Sequence, residues 1–250
     1  MIVQNFIYLK KIDIKKLYLI LLASLLFNCS VQKKYIEHNK YFEKDIQILE
    51  SKKEYKILED YVLFIGSSSI RRWDTAVDDL KPYQPILRGY GGAHYYDLIH
   101  FIERLVKGHD KANAILLFVA NDIRGYSLRP NHKDLSPKEI KRLFKFVHKK
   151  IRNKLGKKIP VLVIETTPTA KRWNVWPQIA EANKLIKQYT KKKQNSYFID
   201  TRDFYLDESG LPIENYFIED KLHLNSDGYK LWGQIIKEKL NQVGVLINNF

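Results

Sequence analysis

The chain has 250 residues, 45% of them hydrophobic and 13% aromatic, which suffices for one well-buried core and falls short of two full domains. A charged fraction of 28% excludes a multi-span membrane protein, and the aliphatic and aromatic content excludes a disordered chain. The formal charge of +15 raises nucleic acid or an anionic surface as partners, but the lysines are scattered through helix-like stretches such as Lys138 to Lys158, no nucleic-acid motif accompanies them, and nucleic acid is not an expected partner.

At the N-terminus Lys10, Lys11, Lys15 and Lys16 precede an apolar run from Leu17 to Phe27, and Cys29, the single cysteine, follows at once. The run is about half of the roughly 20 residues that a bilayer span needs, so it reads as the apolar part of an export signal. Basic segment, short apolar stretch and cysteine in this order resemble a bacterial lipoprotein signal. That resemblance implies a signal peptide over residues 1–28, lipidation of Cys29, and an exported cell-envelope protein held to a membrane by its N-terminal lipid, on the periplasmic or surface side. Asn28 departs from the pattern, standing where a small residue is usual. The mature chain then carries 39 basic and 27 acidic residues, a net charge of +12, and its one cysteine allows no intrachain disulfide.

Residues 29–58 are polar, with Ile36, Phe42, Ile46, Ile48 and Leu49 as the aliphatic or Phe anchors; they predict a tether that becomes a helix lying on a domain of residues 59–250. From residue 61 short apolar runs recur at Val62 to Ile65, Pro85 to Leu87, Ala114 to Val119, Val161 to Ile164 and Tyr197 to Ile199. Runs without alternation suit strands covered on both faces. Between them helical spacing puts Leu98, Ile99, Ile102, Leu105 and Val106 on one face, then Ile140, Leu143, Phe144, Val147 and Ile151, then Ile179, Ala182, Leu185 and Ile186. Such alternation predicts an α/β fold: a parallel sheet of about five strands with helices on both faces, closed by a helix that starts near Ser226 as N-cap. Ligands bind such sheets beyond the carboxyl ends of the strands.

Four segments at those ends carry chemistry. The first strand ends in Gly66-Ser67-Ser68-Ser69, where glycine permits the tight turn that exposes a nucleophile; three serines in a row leave its identity open. Arg88-Gly89-Tyr90-Gly91-Gly92-Ala93-His94 follows the second strand, and its glycines allow backbone N–H groups to approach a developing negative charge. A dinucleotide fingerprint does not fit there, since His94 takes the third glycine position. Asn121, after the third strand, either aims its amide N–H at the same point or closes the strand with an Asx turn. In Asp220-Lys221-Leu222-His223 a carboxylate three residues ahead of the imidazole is placed to orient it. Neither H-E-x-x-H nor a Cys/His cluster occurs, so no metal and no cofactor is implied.

Taken in this order, the four segments resemble the SGNH hydrolase (GDSL-like lipase/acylhydrolase) family, over roughly residues 59 to 243. FIGSSSIRRW, RGYGGAHYYD, RWNVWPQIAEANKLI and LHLNSDGYKLW look like segments of its secreted esterases. The resemblance implies a three-layer, flavodoxin-like α/β/α sandwich. It makes Ser68 the nucleophile, Asp220 and His223 its triad partners, and Ser68, Gly92 and Asn121 the oxyanion hole. The implied activity is cleavage of a small-molecule or glycan ester, such as a small acyl group on a carbohydrate or lipid. Arg71, Arg72, Trp73, Arg88, Trp173 and Trp176 are expected near the substrate rim, the arginines to hold an anionic group and the tryptophans to stack on a sugar ring or to pack helices. Two positions depart from the pattern: Leu87 replaces an Asn, and Val119 replaces a Gly, where its side chain is expected to crowd Asn121. That crowding and the three-serine turn support the alternative, a catalytically weak envelope lipoprotein that uses the fold to bind a glycan or protein. The sequence carries no signal for oligomeric state.

Overall fold

Each of the five apolar runs is a strand: β1 Val62–Gly66, β2 Pro85–Gly89, β3 Ala114–Phe118, β4 Val161–Ile164 and β5 Ser196–Ile199. The computed structural model describes residues 41–56, 58–126 and 133–245. The expected signal peptide of residues 1–28, Cys29 and Ile36 lie outside the described residues. Every residue of β1, β3 and β4 is buried, which is what unalternating apolar strands require when helices cover both faces of the sheet. All four neighbouring pairs are parallel, in the order β2-β1-β3-β4-β5. This is the flavodoxin-like doubly wound order, whose switch point falls between β1 and β3 and opens a crevice at their carboxyl ends.

The helices among the described residues are α1 Glu43–Ser51, α2 Ser68–Arg71, α3 Ala76–Asp79, α4 Tyr95–Leu105, α5 Pro137–Leu155, α6 Trp176–Thr190 and α7 Ser226–Gln242. Local chemistry starts the longest of them. Ser136 and Glu139 form a reciprocal capping box at the head of α5, with Pro137 in its first turn, and the helix buries the expected stripe Ile140, Leu143, Phe144, Val147 and Ile151. For α7 the cap is Asn225, whose side chain accepts from the Gly228 amide at 3.0 Å; Ser226, the expected cap, is instead the first helical residue. Consecutive packing of α4 on α5 and α5 on α6 builds one outer layer, and α7 with α3 builds the other. Under α7, Trp232 meets Trp73 at 5.1 Å and the Phe118 ring at 4.9 Å, centroid to centroid. The result is the expected three-layer α/β/α sandwich.

The first helix lies on the domain through Phe42, Ile46 and Leu49, all buried. Phe42 packs on Tyr90 with ring centroids 5.0 Å apart, and Arg104 of α4 pairs with Glu43 at 2.8 Å and with Glu50. Ile48, read from sequence as a further anchor, faces solvent at 60% exposure because it points to the opposite side of α1.

Candidate active site

At the end of β1 a Cβ on residue 66 would stand 2.0 Å from the Phe118 carbonyl oxygen, so glycine is what lets this strand end close against β3. The chain then turns through Ser67 into α2, and the three serines take different environments. Ser67 is buried, its amide on the Phe118 carbonyl at 3.0 Å. Ser69 presents its carbonyl to the Tyr229 hydroxyl at 2.9 Å. Ser68 is partly exposed, and its Oγ lies 2.9 Å from His223 Nε2.

The imidazole is held by a tight turn of its own. Lys221 takes a left-handed conformation, φ 55°, and the Ile218 amide donates to the His223 carbonyl at 2.9 Å. That turn folds the Asp220 carboxylate back: Oδ1 accepts from the Leu222 and His223 amides, both at 2.9 Å, and Oδ2 accepts from His223 Nδ1 at 2.6 Å. Partial burial works against the charge on Asp220, but the His223 amide, the His223 ring and the Leu222 amide outweigh it and hold the carboxyl below the usual carboxylate range. With Nδ1 donating to Asp220, the neutral ring turns its unprotonated Nε2 to the Ser68 hydroxyl. Carboxylate, imidazole and hydroxyl thus stand in hydrogen-bonding sequence, an arrangement able to accept a proton from Ser68 as its oxygen bonds to carbon.

Asn121 follows β3 across the crevice, 8% exposed. Its Nδ2 donates to the Ala93 carbonyl at 2.9 Å, tying it to the β2–α4 loop, and its Oδ1 accepts from Arg172 Nη2 at 2.8 Å. Gly92 adopts φ +81°, and it stands one residue before that Ala93 carbonyl. Ser68, Asn121, His223, Thr166, Arg172 and Phe217 are among the residues lining a cleft of about 450 Å³; Gly92 is not one of them.

The expected rim residues divide. Arg71 is exposed and lies over the β2–α4 loop, its guanidinium carbon 2.9 Å from where a Cβ on Gly91 would stand. Arg72 is exposed as well. Trp173 and Trp176 are half-buried and stack on each other, 6.0 Å between centroids and 11° between planes, immediately after Arg172. Two expectations are corrected. Trp73 is 1% exposed and belongs to the core, because its indole stacks on Tyr229 and its N–H is taken by Asp79 at 2.7 Å. Arg88 is 2% exposed and turned toward α1, where it pairs with Glu54 at 2.8 Å and donates to the Lys52 carbonyl at 3.2 Å. Val119 also departs from expectation: it lines a separate cavity of about 290 Å³ with Ile123, Ile140 and Ile179, because strand alternation carries its side chain to the sheet face opposite Phe118. Arg172 carries no signal in the sequence beyond its place in the segment RWNVW.

Fold, crevice and site together define a flavodoxin-like α/β/α protein with a serine, a histidine and an aspartate in hydrogen-bonding sequence at the switch point. Residues 65–231 match the model of the GDSL-like lipase/acylhydrolase family, and the chain belongs to that family, a hydrolase acting on ester bonds. No curated protein matches the chain. Among solved structures, a protein from Streptococcus pneumonia is 18% identical with a TM-score of 0.63, covering 92% of this chain and 100% of its own. A GDSL-like lipase from Bacteroides thetaiotaomicron is 16% identical with a TM-score of 0.61, covering 82% and 97%. A catalytic mutant of an acetylxylan esterase from Geobacillus stearothermophilus is 14% identical with a TM-score of 0.57, covering 76% and 97%. At these identities the likeness is one of fold.

Proposed function

We propose that the chain is a serine esterase working by two-step acyl transfer, with Ser68 as nucleophile. The carrying observation is the relay Ser68 Oγ, His223 Nε2, His223 Nδ1, Asp220 Oδ2, with contacts of 2.9 and 2.6 Å, opening on the cleft. His223 takes the hydroxyl proton as Ser68 Oγ bonds to the ester carbon, and the carbonyl electron pair moves to oxygen. That oxyanion is held by the backbone N–H of Ser68 and by Asn121 Nδ2, the two expected donors whose residues line the cleft. Collapse expels the alcohol, which leaves with the proton from His223, and water repeats the cycle on the acyl-enzyme.

A short acyl group on a carbohydrate is the substrate this reading favours. Supporting it are a cleft lined in part by the apolar side chains of Phe217, Leu222 and Leu224, the half-buried Trp173–Trp176 pair next to the cleft-lining Arg172, and the acetylxylan esterase among proteins of like fold. Export and lipid anchoring at Cys29 complete the proposal, supported by the basic and apolar segments ahead of that cysteine. The test is turnover of p-nitrophenyl esters of increasing chain length by wild type and Ser68→Ala. Rapid cleavage of the acetyl ester, falling with chain length and abolished in Ser68→Ala along with fluorophosphonate labelling, supports the assignment; undiminished turnover by Ser68→Ala sinks it. Radiolabelled palmitate incorporated by the wild type and lost in Cys29→Ala tests the anchor.

A further inference from the structure

Arg172 is a buried cation that the two-step mechanism leaves without a role. It is 4% exposed and lines the cleft. Its Nη1 donates to the Ala120 carbonyl and its Nη2 to Asn121 Oδ1 at 2.8 Å, while Nε has no hydrogen-bond partner. No carboxylate among the described residues forms an ion pair with it. Burial works against the guanidinium charge; the Tyr126 side chain and the Asp134 carboxylate offset part of that cost from nearby, but the two oxygens that take its Nη groups are neutral, so fold stability alone does not account for an arginine at this place.

Two consequences follow from the contact with Asn121. Arginine has donors and no acceptor, so the side of the Asn121 amide that faces it must be oxygen. Nδ2 is thereby turned away from Arg172, toward the Ala93 carbonyl and the cleft. With one Nδ2 hydrogen on Ala93, the second remains for a substrate oxygen. The guanidinium charge also polarises the amide it binds, making that N–H a stronger donor where negative charge develops. Without Arg172, the Ala93 carbonyl alone holds the amide, and the orientation that aims N–H at the oxyanion is less firmly fixed.

We propose that Arg172 is a positioning residue for the oxyanion hole: it fixes the Asn121 amide with Nδ2 toward the reacting carbonyl and supplies, through that amide, the positive charge that the oxyanion answers. This rests on the serine-esterase reading, and the experiment separates the two. Wild type, Asn121→Ala, Arg172→Met and the double variant are assayed on p-nitrophenyl acetate, with kcat expressed per Ser68 labelled at completion by a fluorophosphonate, so that misfolded protein drops out. The expected result is a kcat lowered about 10- to 100-fold in Arg172→Met with KM within about twofold, the range for a charge-assisted hydrogen bond. In the Asn121→Ala background the same substitution then costs less than about threefold, since the amide it orients is gone. Arg172→Lys, which keeps the charge without the two-pronged geometry, falls between wild type and Arg172→Met, and it carries the same cycle if the methionine variant does not fold. An equal loss in both backgrounds, or none in either, overturns the proposal while leaving the esterase reading intact. Full activity in Asn121→Ala itself removes the oxyanion assignment beneath it.

Discussion

Ser68 Oγ and His223 Nε2 lie 2.9 Å apart although 155 residues separate them, and the link that makes this contact useful is local: Asp220 sits on the same turn as the ring it orients. Asp220 is exposed, and its oxygens are occupied by two amides as well as by the ring. Asp220→Asn keeps the turn's acceptor at Oδ1 but presents an N–H where Nδ1–H needs an acceptor, favouring the wrong tautomer. Turnover of a short ester should drop by about 10² to 10⁴-fold, with far-UV circular dichroism unchanged. Because the carboxyl is held below the usual range, Asp220 should add no proton of its own to the acid limb of the wild-type pH profile down to the ordinary carboxylate value. A second proton on that limb, lost in Asp220→Asn, speaks against this.

The approach of β1 to β3 is the second relationship on which the site depends. A methyl at residue 66 would meet the Phe118 carbonyl oxygen at 2.0 Å, a backbone atom unable to swing aside. Gly66→Ala should therefore destabilise the fold by at least about 2 kcal/mol, at the upper end of overpacking costs, and the soluble fraction should show slower fluorophosphonate labelling because Ser68 follows two residues later. Urea unfolding with an unchanged midpoint contradicts the close approach.

The sheet was legible in the sequence because β1, β3 and β4 are covered on both faces and read as unbroken apolar runs such as LFI and ILLF. The site was legible because Gly66, Asn121, Asp220 and His223 are residue types that chemistry selects at strand ends and turns. Trp73, Arg88 and Arg172 were not. Their side chains are long, and which way each one runs is decided by tertiary partners distant in sequence: Tyr229 and Trp232 for Trp73, Glu54 for Arg88, Asn121 for Arg172. A tryptophan directly after an arginine pair looks like a rim residue until the helix that buries it is known. Val119 failed for a simpler reason, since the pleat that turns it away from the cleft depends on where β3 ends.

The corrected rim gives opposite expectations for two residues once grouped together. Arg88→Met removes the pairing with Glu54 and the donation to the Lys52 carbonyl, which fasten the segment after α1 to β2. It should lower the melting temperature by several degrees, about 1 to 3 kcal/mol for a buried ion pair losing one partner that stays solvent-accessible, with KM unchanged. If the proposed carbohydrate ester is the substrate, Trp173→Ala, which removes half of a stacked pair at the surface, should raise KM for an acetylated oligosaccharide several-fold while leaving that for p-nitrophenyl acetate alone. Equal effects on both esters assign the tryptophan to packing.

Acid stability should be governed by two histidines remote from the cleft. His109 bonds the Tyr61 hydroxyl at 3.0 Å and His148 bonds Ser196 Oγ at 2.8 Å, both buried. Burial, and then the nearby Arg88 charge, pushes His109 from 6.5 down to about 4; burial, then Arg152 and Lys193, does the same for His148. A folded-state value below the unfolded one means that the neutral ring belongs to the fold, so the stability each contributes is present above pH 6.5 and is lost as pH falls through about 4. The loss should approach about 2 to 3 kcal/mol per ring. Asp122 acts in the reverse sense: burial raises its carboxyl to about 7 against the Tyr95 amide, so its contribution is present below the ordinary carboxylate value and fades as pH rises through neutrality. Urea midpoints measured from pH 8 to pH 4 should therefore fall less steeply on the acid side in His148→Gln, which retains a donor for Ser196, than in wild type, and Asp122→Asn should relieve the decline between pH 5 and pH 8 instead. Parallel curves for wild type and His148→Gln contradict a ring kept neutral by burial.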